Sequence, residues 1–147
     1  MEEIEIANKL EITEVVNRLF IHTDYQEWDK LLLMVFAPEV IFDMSSVGAG
    51  EAKTIKAEEI CLMWAKGFEG LDGIHHQAGH YLISVDGSVA KVFAYAVASH
   101  YKESATNDKT RSFTGSYDIT LTLTSAGWRI NAFKYNLKFA DGNLDLS

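Results

Sequence analysis

Residues 11–43 read EITEVVNRLFIHTDYQEWDKLLLMVFAPEVIFD, and the fold turns on how far the first helix in that stretch runs. Every fourth position gives Ile12, Val16, Phe20 and Asp24, with Val15 and Leu19 beside them, which is one face of a helix. A helix that reaches Asp24 puts a carboxylate on its core-facing stripe, where it needs a partner, water or a cavity. A helix that stops near Ile21 leaves Asp24 as the cap of the next turn. The histidines later in the chain favour the first reading, because they supply partners for the carboxylate.

Working outward, the first helix is expected over about Ile4–Asp24. After the corner Tyr25-Gln26-Glu27, a short second helix presents Trp28, Leu32, Val35 and Phe36 to the core, and Pro38, the only proline, stops it. A brief strand, Val40–Asp43, leads into SSVGAG at 45–50, a flexible loop placed to arch over a pocket mouth. A third helix spans about Ala57–Phe68, and Gly67, Gly70 and Gly73 break the chain after it. From Ile74 onward the pattern is that of strands. Residues 74–85 end at the hairpin signal Asp86-Gly87, and 88–102 return. A polar loop, Glu103–Lys109, precedes strands at 111–124 and 127–139, joined at Ser125-Ala126-Gly127.

The return strand carries most information. Its even positions are Ala90, Val92, Ala94, Ala96, Ala98 and His100, a face of small residues ending in a histidine; its odd positions include Phe93, Tyr95, Val97 and Tyr101. Small side chains suit a strand that lines a cavity or lies against a helix. The bulky face needs cover of its own, and with the helices used on the other side a second subunit supplies it. A bulge anywhere in the hairpin would exchange the two faces.

Composition bounds the function. The 147 residues, 48% hydrophobic and 12% aromatic, fit one domain, residues 1–147, with a sizeable core. A net charge of -8 and a pI near 5.0 argue against nucleic acid or an anionic membrane as partner. The acidic start MEEIEIANK is unlike a signal peptide, and no apolar run approaches the roughly 20 residues of a membrane span; a soluble, cytoplasmic protein is expected. The single Cys61 excludes an internal disulfide and reads as packing with Ala57, Trp64 and Phe68.

The order of these elements, with D-x-x-x-W (Asp24–Trp28), F-A-P (Phe36–Pro38), V-I-F-D (40–43), I-H-H (74–76), A-Y-A-V-A-S-H-Y (94–101), G-S-Y-D (115–118), G-W-R-I (127–130) and D-G-N (141–143), resembles the SnoaL-like branch of the NTF2-like superfamily over nearly the whole chain. That resemblance implies an α+β cone, also called cystatin-like. In it, three N-terminal helices pack in a strongly curved, mixed but largely antiparallel sheet that encloses a pocket, and such proteins tend to form a homodimer or higher homo-oligomer. The superfamily contains scytalone dehydratase, a dehydrochlorinase, polyketide cyclases, steroid isomerase, oxygenase small subunits and members without known chemistry, so the fold alone does not assign an activity.

Carried over residue by residue, the dehydratase and dehydrochlorinase pattern puts their aspartate at Asp24, their first histidine at His75 and the dehydratase's second histidine at His100. Such a set removes a proton next to a carbonyl or leaving group, with the aspartate orienting the imidazole. The departures are Thr23 and Met44, which stand where scytalone dehydratase has its two water-holding tyrosines; Tyr117 is the replacement hydroxyl. The steroid-isomerase pattern aligns Asp43 with its general base but puts Leu19 at its hydroxyl donor, and Asp43 reads equally as a strand-end carboxylate in a turn. The expected substrate contacts are Tyr117, Asp43, Phe20 and Trp64.

Among the other histidines, His22 lies off the Asp24 face, while His76 and His80 share a strand face opposite His75 under regular alternation and replace it after a bulge. A metal site from Asp24, His75, His80 and His100 lacks any H-x-H or H-E-x-x-H spacing. No metal or cofactor is therefore expected. The leading expectation is a lyase or isomerase, of dehydratase or cyclase type, acting on a small hydrophobic, cyclic molecule. The alternative is a non-catalytic ligand-binding or assembly domain.

Overall fold

The computed structural model describes residues 2–147. Helix α1 spans Glu3–Asp24 and buries Ile12, Val15, Val16, Leu19, Phe20 and Thr23, so the first of the two readings of residues 11–43 holds. Glu3 and Glu5 in its first turn complement the helix dipole. It ends because Gln26 takes a left-handed backbone (φ 53°), turning the chain into α2, Trp28–Met34.

Strand β1 (Phe36–Asp43) pairs in parallel with β6 (Gly127–Gly142) and antiparallel with the short β2 (Lys53–Lys56). Helix α3 (Ala57–Gly67) follows, then β3 (Gly73–Asp86), β4 (Val89–Tyr101) and β5 (Thr110–Thr124). The six strands form one curved mixed sheet in the order β2-β1-β6-β5-β4-β3, antiparallel except at β1–β6. Helix α1 touches both β3 at the far edge and β6. Two hydrogen bonds pin it there: Tyr81 Oη donates to Asn17 Oδ1 (2.7 Å), and Trp128 Nε1 donates to Asn8 Oδ1 (3.2 Å). Ile12, Val16, Leu31, Ile60, Leu121, Trp128 and Ile130 are fully shielded at its centre, each large apolar side chain contributing roughly 1.5–3 kcal/mol by burial.

Five expectations need correction. The helices do not all precede the strands, since α3 follows β1 and β2. Strand β2 went unread because a four-residue KTIK segment buries only Ile55. Helix α2 is shorter than expected: Val35 and Phe36 are buried beyond its end, but Leu32 is partly exposed and Leu31 takes its place inside. Pro38 lies within β1, where the pairing to β6 is interrupted between Phe36 and Ile41, so its missing N–H costs no ladder bond. Finally, 45–50 is a pinned segment. Ser46 Oγ donates to the Tyr135 carbonyl (2.7 Å) and accepts from the Leu137 N–H (3.0 Å).

The hairpin that sets the inner face carries a bulge. Pairing is regular from Gly73↔Tyr101 to Gly79↔Tyr95, shifts, and resumes at Leu82↔Phe93. His80 sits in the shift with a left-handed backbone (φ 57°). The even residues of β4 are buried throughout. Before the bulge they face even residues of β3, such as His76 opposite Ala98; after it they face odd ones, such as Ile83 opposite Val92.

Candidate active site

That phase change decides which histidine meets Asp24. The carboxylate, 9% exposed, receives two hydrogen bonds from one residue: Oδ1 accepts from His76 Nδ1 at 2.6 Å, and Oδ2 accepts from the His76 backbone N–H at 3.0 Å. Binding ring and backbone together fixes the imidazole plane, and a carboxylate at Nδ1 keeps the proton there and leaves Nε2 as the basic lone pair. His75, expected in this role, points outward instead. Its side chain is 68% exposed, its Nδ1 is 4.0 Å from Asp24, and its Nε2 bonds Gln77. Counting back from the apolar residues Tyr81, Ile83 and Val85 by strict alternation leads to His75; the bulge at His80 moves the inner position by one.

His76 is also a wall. On one side Asp24 lies in a cleft with Asn17, Tyr25 and His75. On the other, His76 faces an apolar cavity of about 210 Å³ that Phe20, Trp64, His100 and Tyr117 also line. Of the expected substrate contacts, these three aromatic residues are therefore at the cavity. Asp43 is not. It ends β1 in an exposed turn, where its Oδ1 accepts from the Ser45 hydroxyl (2.6 Å) and N–H (3.0 Å), bonds that hold its pKa down. The isomerase-type alignment fails because the side chain of the strand's last residue is spent on capping the turn.

His100 ends the small face of β4 and is itself buried. Its ring lies edge-on to Phe68 (5.5 Å) and near Phe113 (5.7 Å), and Arg111 Nε donates to its Nδ1 at 3.0 Å. Burial, and then the guanidinium, push its pKa down to about 4. Tyr117, T-stacked on Phe20 and packed against Tyr135 at 4.8 Å, has its phenol pushed well up by burial, so it remains a protonated donor.

Several cavity residues had no signal in the sequence, among them Phe68, Phe113, Phe133 and Tyr135. The Tyr135 hydroxyl is buried without a hydrogen-bond partner and lies over Gly115, where any Cβ would come within 2.6 Å of it and 2.3 Å of the Asn136 carbonyl. Thr23 and Met44, the two departures from the scytalone dehydratase pattern, line the cavity, and the Thr23 hydroxyl is committed to the Leu19 carbonyl (2.6 Å). Val47 from the pinned segment reaches the cavity as well. Burial pushes the Cys61 thiol up to about 11, consistent with packing and not with a nucleophile. His22 is occupied with Glu27 (3.0 Å), and His80 stands against Tyr95. Among the described residues no three His, Cys, Asp or Glu side chains assemble as a metal set, and no helix is long and apolar enough to cross a membrane.

A half-buried His–Asp pair in the wall of an apolar pocket inside a helix-filled curved sheet defines a recognisable class. The SnoaL-like domain family matches residues 5–134, and the chain belongs to it. The fold is similar to that of the Kfla4162 protein from Kribbella flavida (TM-score 0.91, 21% identity, 97% of each chain covered). It is also similar to an NTF2-like protein with a cystatin-like fold from Novosphingobium aromaticivorans (TM-score 0.73, 18% identity, 96% of this chain and 87% of that one). A third likeness is to the type 3 hexachlorocyclohexane dehydrochlorinase from Novosphingobium barchaimii (TM-score 0.76, 11% identity, 93% and 90% covered). No curated protein matches the chain in sequence.

Proposed function

We propose that this chain is a cofactor-independent lyase or isomerase that removes a proton from carbon in a small, hydrophobic, cyclic substrate. The observation that carries the reading is the position of His76, hydrogen-bonded to Asp24 on one side and open to the cavity on the other. In the proposed step Nε2 of His76 takes a proton from the carbon next to a carbonyl or leaving group. The C–H electron pair becomes the new double bond, and the carbonyl oxygen or departing group takes the negative charge. Asp24 steadies the imidazolium. His100 and Tyr117 donate hydrogen bonds to the developing charge. Because an apolar cavity of about 150 Å³ holds benzene, the present one suits a single substituted ring. The dehydrochlorinase likeness agrees with an elimination of this kind.

The test is hydrogen–deuterium exchange into small ring ketones, with a parallel panel of β-halo and β-hydroxy ring compounds followed for elimination. Wild-type protein should accelerate exchange or elimination for at least one, and Asp24→Asn and His76→Gln should abolish the acceleration. Binding without turnover across both panels would leave the chain a ligand-binding domain.

We further propose that the outer sheet face pairs two copies of the chain. Tyr95, Val97 and Tyr101 on β4 and Leu82 on β3 remain between about 38% and 71% exposed there, a larger apolar row than a free face needs. Light scattering at micromolar concentration should give twice the chain mass, and Val97→Glu should return the monomer; a wild-type monomer removes the proposal.

A further inference from the structure

Among the groups that the acid–base step leaves unused, Arg111 is the one that touches the site. It stands directly across from His100 in the β4–β5 register. Its Nε donates to His100 Nδ1 at 3.0 Å, and its Nη1 donates to the Leu144 carbonyl at 2.7 Å. The guanidinium also lies over the Phe113 ring at 5.8 Å, and Leu146 in the same C-terminal segment is buried. The arginine is thus held at three points and cannot simply swing away.

An arginine side chain has donors and no acceptor. A ring nitrogen that accepts from it carries a lone pair, so a neutral His100 must carry its one proton on the other nitrogen. We propose that Arg111 is a positioning residue that fixes His100 as a neutral imidazole with its proton on Nε2, making that histidine a dedicated hydrogen-bond donor to whatever occupies the cavity. The proposal takes its place in catalysis from the acid–base reading above, but the proton's location is a property of the free protein. The logic inverts that of His76, where a carboxylate fixes the proton on Nδ1 and leaves Nε2 bare. Protonating His100 would place a second cation against the guanidinium and break the 3.0 Å bond. Arg111 and His76 oppose that protonation and Asp24 weakly favours it; Asp145 lies close enough to act on the guanidinium itself.

Long-range proton–nitrogen NMR of ring-labelled histidine in the full chain tests this without a substrate. In wild type, His100 should show an unprotonated Nδ1 and a protonated Nε2 at pH 7, unchanged down to pH 5. A proton on Nδ1, or a ring that titrates above pH 6, overturns the proposal. Arg111→Met should give mixed tautomers, while the His76 signals stay in place. Arg111→Gln, whose amide reaches as far as the arginine Nε, should restore the single Nε2–H form. A folded Arg111→Met protein that keeps that form assigns the control elsewhere and removes Arg111 from the role. Should Arg111→Met fail to fold, the wild-type spectrum alone decides. Should the wild-type spectrum match and no ring compound exchange or eliminate, the tautomer stands and the acid–base reading falls.

Discussion

Two imidazoles look into one cavity from adjacent strands, and their surroundings differ in sign. The Nδ1 of His76 meets a carboxylate at 2.6 Å, whereas the Nδ1 of His100 meets a guanidinium at 3.0 Å. In the proposed mechanism the same side chain is prepared for opposite tasks, one to take a proton and the other to offer a hydrogen bond, and the partner behind the ring determines which. On that reading, what distinguishes a base from a donor is not the residue type but the charge one atom layer outside the cavity.

The largest effect should come from removing the sign on the His76 side. Asp24→Asn keeps the size of the side chain while ending the carboxylate's hold on the Nδ1 proton, and turnover of any responsive substrate should fall by about 10²–10⁴. A variant within threefold of wild type would break the comparison. Next, His100→Phe retains the aromatic packing against Phe68 and Phe113 but removes the donor; kcat should fall by about 10²–10³, the cost of one well-placed donor. An effect confined to KM would make His100 a contact and not a participant.

The third effect concerns stability. The folded pKa of His100 is pushed down to about 4 from an ordinary 6.5. Between those values the unfolded chain binds a proton at this position that the folded chain refuses, so stability falls as pH drops from 6.5 to 4 and the loss levels off below that. The part due to His100 is of the order of 3 kcal/mol at most. Urea midpoints against pH for wild type and His100→Asn should diverge only in this window, and parallel curves would place the depressed pKa elsewhere. The smallest effect belongs to Asp43. Its carboxylate serves an exposed turn, so Asp43→Asn should change stability by less than about 0.5 kcal/mol and leave turnover untouched; a large loss of activity would bring this end of β1 back to the site.

The helical stripe through Ile12, Val16, Phe20 and Asp24 was readable because a helix repeats on a fixed period and α1 contains nothing to interrupt it. The small face of β4 was readable for the same reason, since its alternation survives intact from Ala90 to His100. Strand β3 was not, because His80 adopts a backbone conformation that no residue type except glycine announces, and everything before it changes face. Arg111 and Tyr135 escaped for another reason: their placement is set by residues on neighbouring strands, His100 beside Arg111 and Gly115 beside Tyr135, and a linear pattern records no neighbour across strands. The motifs carried over from the family were one residue out at the same place, His75 for His76, where local spacing is blind to the bulge.

The bulge also bears on how this site tolerates change. Insertion or loss of one residue in the middle of a strand ordinarily replaces every inward side chain before it by an outward one. At the functional end of β3, however, the two alternatives are His75 and His76. Closing the bulge by re-registering the strand with no residue removed would turn His76 away from Asp24 and bring His75 towards it, whereas deleting His80 itself would restore regular alternation and leave His76 in place. The doubled histidine works as an error-tolerant code: with the bulge or without it, the letter presented to the aspartate is the same.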